Sequence, residues 1–181
     1  LIGDGDHGMN MNKGFMLFGK QYGEEAFTFA EGLSNLGNIL FSQIGGSMGP
    51  IYGTIFMDSA DEGMDLEEIT VKDLANMLAT GLAGLQEIVE AQVGDKTLVD
   101  TLSPAVDSLK ESAEAGTDFP EALEKMKAAA KKGMESTKDM VAKFGRSSRL
   151  GERSRGVLDA GSVSCCIILT AMADGIAENL D

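Results

Sequence analysis

The sequence predicts an all-α fold: a bundle of about eight antiparallel amphipathic helices joined by short loops. Three observations predict it. Apolar residues recur at steps of three and four through most of the chain, the spacing of one helical face. Strand signals are nearly absent, since Trp is missing, Tyr occurs twice and no useful run alternates apolar with polar. Glycine, proline and short polar side chains stand where helix ends require them.

The clearest helix is carried by Leu74, Met77, Leu78, Gly81, Leu82, Leu85, Ile88 and Val89, one apolar stripe. It is expected to start near Thr70, with Thr70 and Asp73 as a capping pair, and to end before Gly94. Similar patterns run over about 9–22, 24–43, 50–60, 97–115, 119–143 and 160–180. Pro120 after Asp118-Phe119 fits a helical first turn, and Gly23, Gly116 and Gly145 fit helix ends. The Ala/Lys-rich stretch KMKAAAKKGMESTKDMVAK keeps helical spacing and reads as a solvated surface helix.

At 181 residues the chain is long enough for one domain with a real core, and nothing in it invites division of 1–181. Fifteen Lys+Arg against 29 Asp+Glu give a net charge of −14, which opposes nucleic acid and anionic membrane as partners. A phosphate compound could then be held only with metal ions or backbone dipoles supplying the attraction. The longest apolar run, VSCCIIL, is too short to cross a bilayer, and no charged-then-apolar leader opens the chain. Cys165 and Cys166 are neighbours, unsuited to a disulfide framework, so they read as core thiols in a reducing, cytoplasmic compartment. The chain opens on Leu1 without an initiator methionine, inside what reads as a functional loop, so residues are expected upstream.

That loop is GDGDHGMN. Asp4 and Asp6, one residue apart among Gly3, Gly5 and Gly8, repel each other unless a cation sits between them. Mg²⁺ suits such a pair, because it takes a few carboxylates and fills its other positions with water and phosphate oxygens. A calcium loop does not fit: its Gly and Glu positions hold Met9 and Phe15. The ordinary alternative is a solvated turn capping the helix that follows.

A second stretch, QIGGSMGPIYGT, places glycines and Ser47 ahead of Pro50, a loop whose N–H groups can face a phosphate at a helix N-terminus. It could equally be a glycine-rich helix junction. The nearby spacing from Gly14 to Gly19-Lys20 imitates a phosphate-binding loop, but Gln21 replaces the Ser or Thr that holds Mg²⁺, and the segment is helical. A third stretch, VGDKTLVD, offers Asp95, Lys96 and Thr97 at a helix start, where it could be a cap. The fourth, FGRSSRLGERSRGVLDAGS, gathers Arg146, Arg149, Arg153 and Arg155 in an otherwise acidic protein. Guanidinium groups there suit a polyphosphate, the alternative being salt bridges to surface acids. Together the stretches supply the parts for nucleotide-dependent phosphoryl transfer.

In this order and spacing, GDGDHGMNM, GGSMGP, GDKT and GRSSRLGERS…DAG resemble the dihydroxyacetone kinase family across essentially the whole chain. The match is to the ADP-binding subunit of the bacterial enzymes and to the C-terminal domain of the single-chain, ATP-dependent ones; His7 favours this branch over the fatty-acid kinases. The resemblance implies a closed barrel of helices with the nucleotide, ADP or ATP, held in loops at one end through two Mg²⁺ ions. By position, Asp4 and Asp6 would be metal ligands, and His7, Gly8 and Asn10 would line the nucleotide site. Gly46, Ser47 and Met48 would cradle the phosphates, and Leu98 would touch the adenine. Arg146 would approach the phosphates and assist transfer as the catalytic residue, while Asp159 and Gly161 would close the far side.

Three positions depart from the family pattern. A further metal-binding Asp would fall ahead of Leu1; Val89 stands where a nucleotide-contacting Gly is expected; and Asp159-Ala160-Gly161 replaces Asp-Pro-Gly, which loosens the turn but keeps the acid and the glycine. The resemblance further implies a partner subunit that holds dihydroxyacetone on a histidine, and a phosphohistidine protein of the phosphotransferase system that recharges bound ADP. The single histidine here already lies in the metal motif, which suits a nucleotide carrier, and a chain made of this domain alone points to the multi-subunit form. A homodimer is a further expectation. Two other functions stay open: a regulatory module that binds nucleotide without turnover, and a helical barrel enclosing a lipid, to which the 11 Met residues would be suited.

Overall fold

The computed structural model describes residues 5–180, and the all-α expectation holds: among them are seven α-helices, two 3₁₀ segments and no strand. The helices are α1 (His7–Tyr22), α2 (Phe29–Gln43), α3 (Met48–Gly63), α4 (Val71–Ile88), α5 (Val99–Ala115), α6 (Phe119–Ser136) and α7 (Ala160–Glu178). The 3₁₀ segments are Thr137–Asp139 and Arg146–Ser154. Helix α2 begins later than its apolar spacing suggests because of a capping box. Thr28 Oγ1 accepts from Glu31 N at 3.2 Å while the Glu31 carboxylate accepts from Thr28 N at 2.7 Å. The Thr70–Asp73 pair caps α4 as expected, Asp73 N donating to Thr70 Oγ1 at 3.2 Å. The two hydrogen bonds from Thr70 hold the Asp73 carboxyl below the usual carboxylate range. Helix α4 ends at Ile88, before Gly94 as expected, and α6 at Ser136, short of the expected 143, so 137–159 holds the two 3₁₀ segments and loops.

The described chain groups into two compact units, one of residues 5–69 and 76–89, the other of 70–75 and 90–180. In the first, α2 and α3 run antiparallel, with Gly37 facing Met57, Phe41 facing Gly53 and Ile44 facing Gly49. Glycines permit this close approach: a Cβ at Gly49 would stand 2.4 Å from Ile44 O and 2.6 Å from Leu40 O. Leu36, Ile39, Leu40, Tyr52, Ile55 and Phe56 fill the seam, and the Tyr52 and Phe56 rings stack at 6.0 Å. Gly14 of α1 lies on Leu40, which explains part of the phosphate-loop-like spacing as helix packing.

In the second unit α6 packs against both α5 and α7 around Leu102, Val106, Leu109, Leu123, Met126 and Leu169. Asp118 caps α6, accepting from Glu121 N at 2.9 Å, with Pro120 in the first turn as the sequence predicts. Gly116 ends α5 in the left-handed conformation, φ +66°, and Thr117 N reaches back to Ser112 O. Gly145 is no helix end: at φ +66° it leads into the second 3₁₀ segment. By length and composition α7 would suffice to cross a membrane, with mean hydropathy 1.6, which the search for one unbroken apolar run misses. Its Cys165, Cys166, Leu169 and Ala173 are buried in the protein, and its Asp174 pairs with Lys127 of α6 at 2.7 Å.

Candidate functional site

Helices α2, α4, α6 and α7 each receive a side-chain cap, from Thr28, Thr70, Asp118 and Asp159. Helices α1 and α3 do not, although Asp6 and Ser47 stand at their N-cap positions. Leu98, at the N-cap of Val99–Ala115, gives no side-chain cap either; α1 and α3 are the two uncapped helices that follow GDGD and GGS. A helix start without a capping side chain leaves backbone N–H groups, and the positive end of the helix dipole, to another acceptor.

At α1, Gly5 takes φ +74° and turns the chain into the helix, which starts at His7. Asp6 is exposed, and its carboxylate accepts from Asn10 Nδ2 at 3.3 Å, so Asn10 steadies the acid one turn back. His7 and Asn10 are half-buried and Gly8 is exposed. Asp4 lies outside the described residues, and among those described no three His, Cys, Asp or Glu cluster as a metal site. Asp6 is thus a single exposed carboxylate at this helix start, a donor type that Mg²⁺ accepts.

At α3, Gly46 adopts φ +77° and a Cβ on Gly45 or Gly46 would meet nothing within 4 Å, so this loop faces open space. Ser47 is exposed and Met48, the first helical residue, is half-buried. Gly49 serves packing instead, as its contacts with Ile44 O and Leu40 O show. The run GGSMG thus divides into an open, polar cradle and a close helix contact.

The second unit gathers three other predicted residues. Leu98 stands at the N-cap position of α5, only 4% exposed, and a Cβ on Gly161 would lie 3.4 Å from Leu98 Cβ and 3.0 Å from Asp159 Oδ2. Asp159 caps α7, its Oδ2 accepting from Ser162 N at 2.8 Å. Ala160 is then the first residue of that helix, the position proline favours, so the cap survives the loss of the family's proline. Val89 lies just past α4, half-buried, its N–H donating to Leu85 O.

Sequence reasoning missed how GDKT works. Asp100 is buried and its carboxylate accepts from Gly94 N at 2.6 Å and Thr97 N at 2.8 Å, which shapes the loop. Asp95 takes Gln92 N and an ion pair with Lys143 at 2.5 Å, and both hold its carboxyl low. Lys96 is turned into the protein. It is 2% exposed at φ +62°, with Nζ donating to Thr137 O and Val157 O. Burial pushes its ammonium below the usual lysine range, as does Arg155, against the pull of Asp159, Asp139 and Asp100. The only available signal was a lysine within a glycine-acid turn ahead of an apolar helix.

In the arginine stretch, Arg146 is exposed at the start of the 3₁₀ segment, directly after Gly145. Arg149 and Arg153 are exposed too. Arg155 forms a surface ion pair, bonded to Glu152 at 3.1 Å and to Asp139 O.

The DAK2 domain matches residues 1–174 of this chain. The chain belongs to the DAK2 domain family. This DAK2 chain is 37% identical over 175 residues to the PEP-dependent dihydroxyacetone kinase, ADP-binding subunit DhaL, of Escherichia coli K12, covering 95% of the chain and 82% of that subunit. It is 35% identical over 181 residues to the ADP-binding subunit DhaL of PEP-dependent dihydroxyacetone kinase 2 of Listeria innocua, covering 98% of the chain and 83% of the relative. The dihydroxyacetone kinase from C. freundii, solved in complex with AMP-PNP and Mg²⁺, shares the fold at TM-score 0.71 and 22% identity. That match covers 96% of this chain but 29% of the kinase, so the DAK2 chain spans less than a third of it.

Proposed function

We propose that this chain is the nucleotide-carrying subunit of a dihydroxyacetone kinase, passing phosphate from a bound Mg-nucleotide to dihydroxyacetone held on a partner subunit. The observation that carries the reading is the 37% identity with an ADP-binding subunit across 95% of the chain. The helix starts of α1 and α3, without side-chain caps behind their glycine turns, support it. The whole chain, 1–181, serves as one nucleotide-binding domain in a cytoplasmic enzyme. A phosphohistidine protein of the phosphotransferase system recharges the ADP, and the subunit works as a homodimer.

In the first unit Asp6, with Asp4, holds Mg²⁺, two ions in all, while His7, Gly8 and Asn10 line the nucleotide. Gly46, Ser47 and Met48 offer backbone N–H groups to the phosphates at the start of α3. In the second unit Leu98 meets the adenine, and Asp159 and Gly161 bound the nucleotide. Bound Mg²⁺ supplies positive charge on the phosphate oxygens, which a chain of net charge −14 would otherwise repel. Arg146 places a guanidinium against the oxygens of the transferred group, where charge spreads during transfer.

Purified with no nucleotide added, then denatured and chromatographed, the protein is expected to release ADP in near-equimolar amount, and to lose it beforehand on chelation of Mg²⁺. Release of no nucleotide, together with no binding of added Mg-ADP, would overturn the reading, and release of a fatty acid would put a lipid in its place.

A further inference from the structure

Residues 138–156 leave the second unit and return to it at one point. Gly156 N donates to Lys138 O at 2.8 Å, and just outside that bond Thr137 O and Val157 O both accept from the Lys96 ammonium, at 2.5 Å each. Of the segment itself only Ala142 and Ser154 are buried, and they are bonded to each other, Ala142 N to Ser154 Oγ at 2.9 Å. An excursion that buries so little has few apolar contacts to hold it, so its closure rests on the polar bonds at its base. Next to Lys96, Asp95 ties the outgoing limb through Lys143 Nζ at 2.5 Å and Lys143 N at 3.2 Å.

Lys96 is an unusual residue for this position. A lysine 2% exposed is costly unless its charge is satisfied, and φ +62° is a backbone state that glycine or asparagine would normally take. Its neighbours account for both features. The left-handed turn points the stem inward between the two limbs, and the ammonium supplies N–H donors to two carbonyls, of which Thr137 O also accepts from Met140 N at 3.2 Å and Val157 O has the ammonium as its donor. An apolar side chain of the same length would leave both carbonyls without that partner.

We propose that Lys96 is a positioning residue: by bridging Thr137 O and Val157 O it closes the base of the 138–156 segment and so fixes the carrier of Arg146. The transfer half of this inference rests on the reading of Arg146 given above; the closure of the segment does not. Asp159 has a fastening of its own, the cap on Ser162 N, beside the bond of its N–H to Thr137 Oγ1 at 3.1 Å, which shares a residue with the clasp. Opening the clasp displaces Arg146, while the cap on Ser162 N still holds Asp159 at the start of α7, so the loss falls on transfer more than on nucleotide affinity.

The test uses the full chain with its partner subunit, as wild type, Lys96→Met and Lys96→Arg. Limited trypsin digestion reads cleavage after Arg146, Arg149 and Arg153; single-turnover transfer from Mg-ATP to dihydroxyacetone reads function; titration with Mg-ADP reads affinity. Lys96→Met should be nicked about tenfold faster at those arginines, with the lysines of α6 unaffected. It should transfer about tenfold more slowly, with affinity held within about threefold. Lys96→Arg, which keeps N–H donors, should recover part of both losses.

Unchanged nicking in Lys96→Met would overturn the clasp, whatever happens to transfer. Faster nicking with unchanged transfer would leave the clasp standing but remove Arg146 from the reaction, which overturns the functional half. Equal loss of transfer and affinity would overturn the separation from Asp159. Should Lys96→Met not fold, hydrogen exchange of the wild type decides: the Gly156 amide should exchange at least about a hundredfold slower than in free peptide, and exchange at the free rate would overturn the closed base.

Discussion

Replacing Arg146 with alanine is expected to slow phosphoryl transfer about a thousandfold while ADP affinity stays within about threefold. The expectation follows from where the residue sits. Arg146 is exposed at the head of a 3₁₀ segment, behind a glycine at φ +66°, in a stretch carrying four arginines of an otherwise acidic protein. In the proposed site Mg²⁺ and backbone N–H groups would supply ground-state attraction for the nucleotide, so removing one guanidinium should be felt chiefly as charge moves in the transition state. Single-turnover transfer and equilibrium titration on the same preparation check this, and equal losses in both would assign Arg146 to binding alone. Lysine at this position should recover little, because a compact ammonium cannot make the two parallel contacts of a guanidinium.

Gly49→Ala is expected to lower stability by about 3 kcal/mol and to abolish retention of nucleotide. A Cβ at this position would press on two backbone carbonyls, Ile44 O at 2.4 Å and Leu40 O at 2.6 Å. Neither can rotate aside, so the first turn of α3 must move off the end of α2. That turn carries Ser47 and Met48, and its displacement would disperse the N–H groups offered to the phosphates. Thermal unfolding should show a drop of roughly 10 °C for a chain of this size. Gly45→Ala offers the contrast: its Cβ would meet nothing within 4 Å, so stability should hold.

The difference between those two glycines shows what was legible in the sequence. That GGSMGP was a special loop could be read from composition, but which glycine faces open space and which serves packing depends on α2, a partner that local sequence does not reveal. The helices were legible because their apolar spacing is local and periodic, and the Thr70–Asp73 and Asp118–Pro120 signals fixed two starts correctly. Ends were read less well. The apolar pattern of 24–43 runs past the capping box at Thr28, and that of 119–143 past Ser136, because side-chain periodicity does not register where the backbone hydrogen-bond ladder stops.

Asp6 and Asn10 were legible as separate candidate residues, but the bond between them was not. The Lys96 clasp was not legible, since its acceptors are backbone carbonyls at Thr137 and Val157, far along the chain and anonymous in sequence. The family resemblance implies a nucleotide contact for Asp159, and what the structure shows of it is the cap of α7. A short acid at a helix start satisfies the helix whether or not a ligand is present.

The most direct test of the central claim is the formation of dihydroxyacetone phosphate by the dihydroxyacetone-holding partner subunit, with phosphohistidine donor protein and Mg²⁺, in the presence and absence of this chain. Product formation that requires the chain, saturates at about one chain per partner and stops on chelation of Mg²⁺ is the predicted result. Product formed equally well without the chain, or no product from a chain that binds Mg-ADP tightly, would contradict it and make the protein a nucleotide-binding regulator.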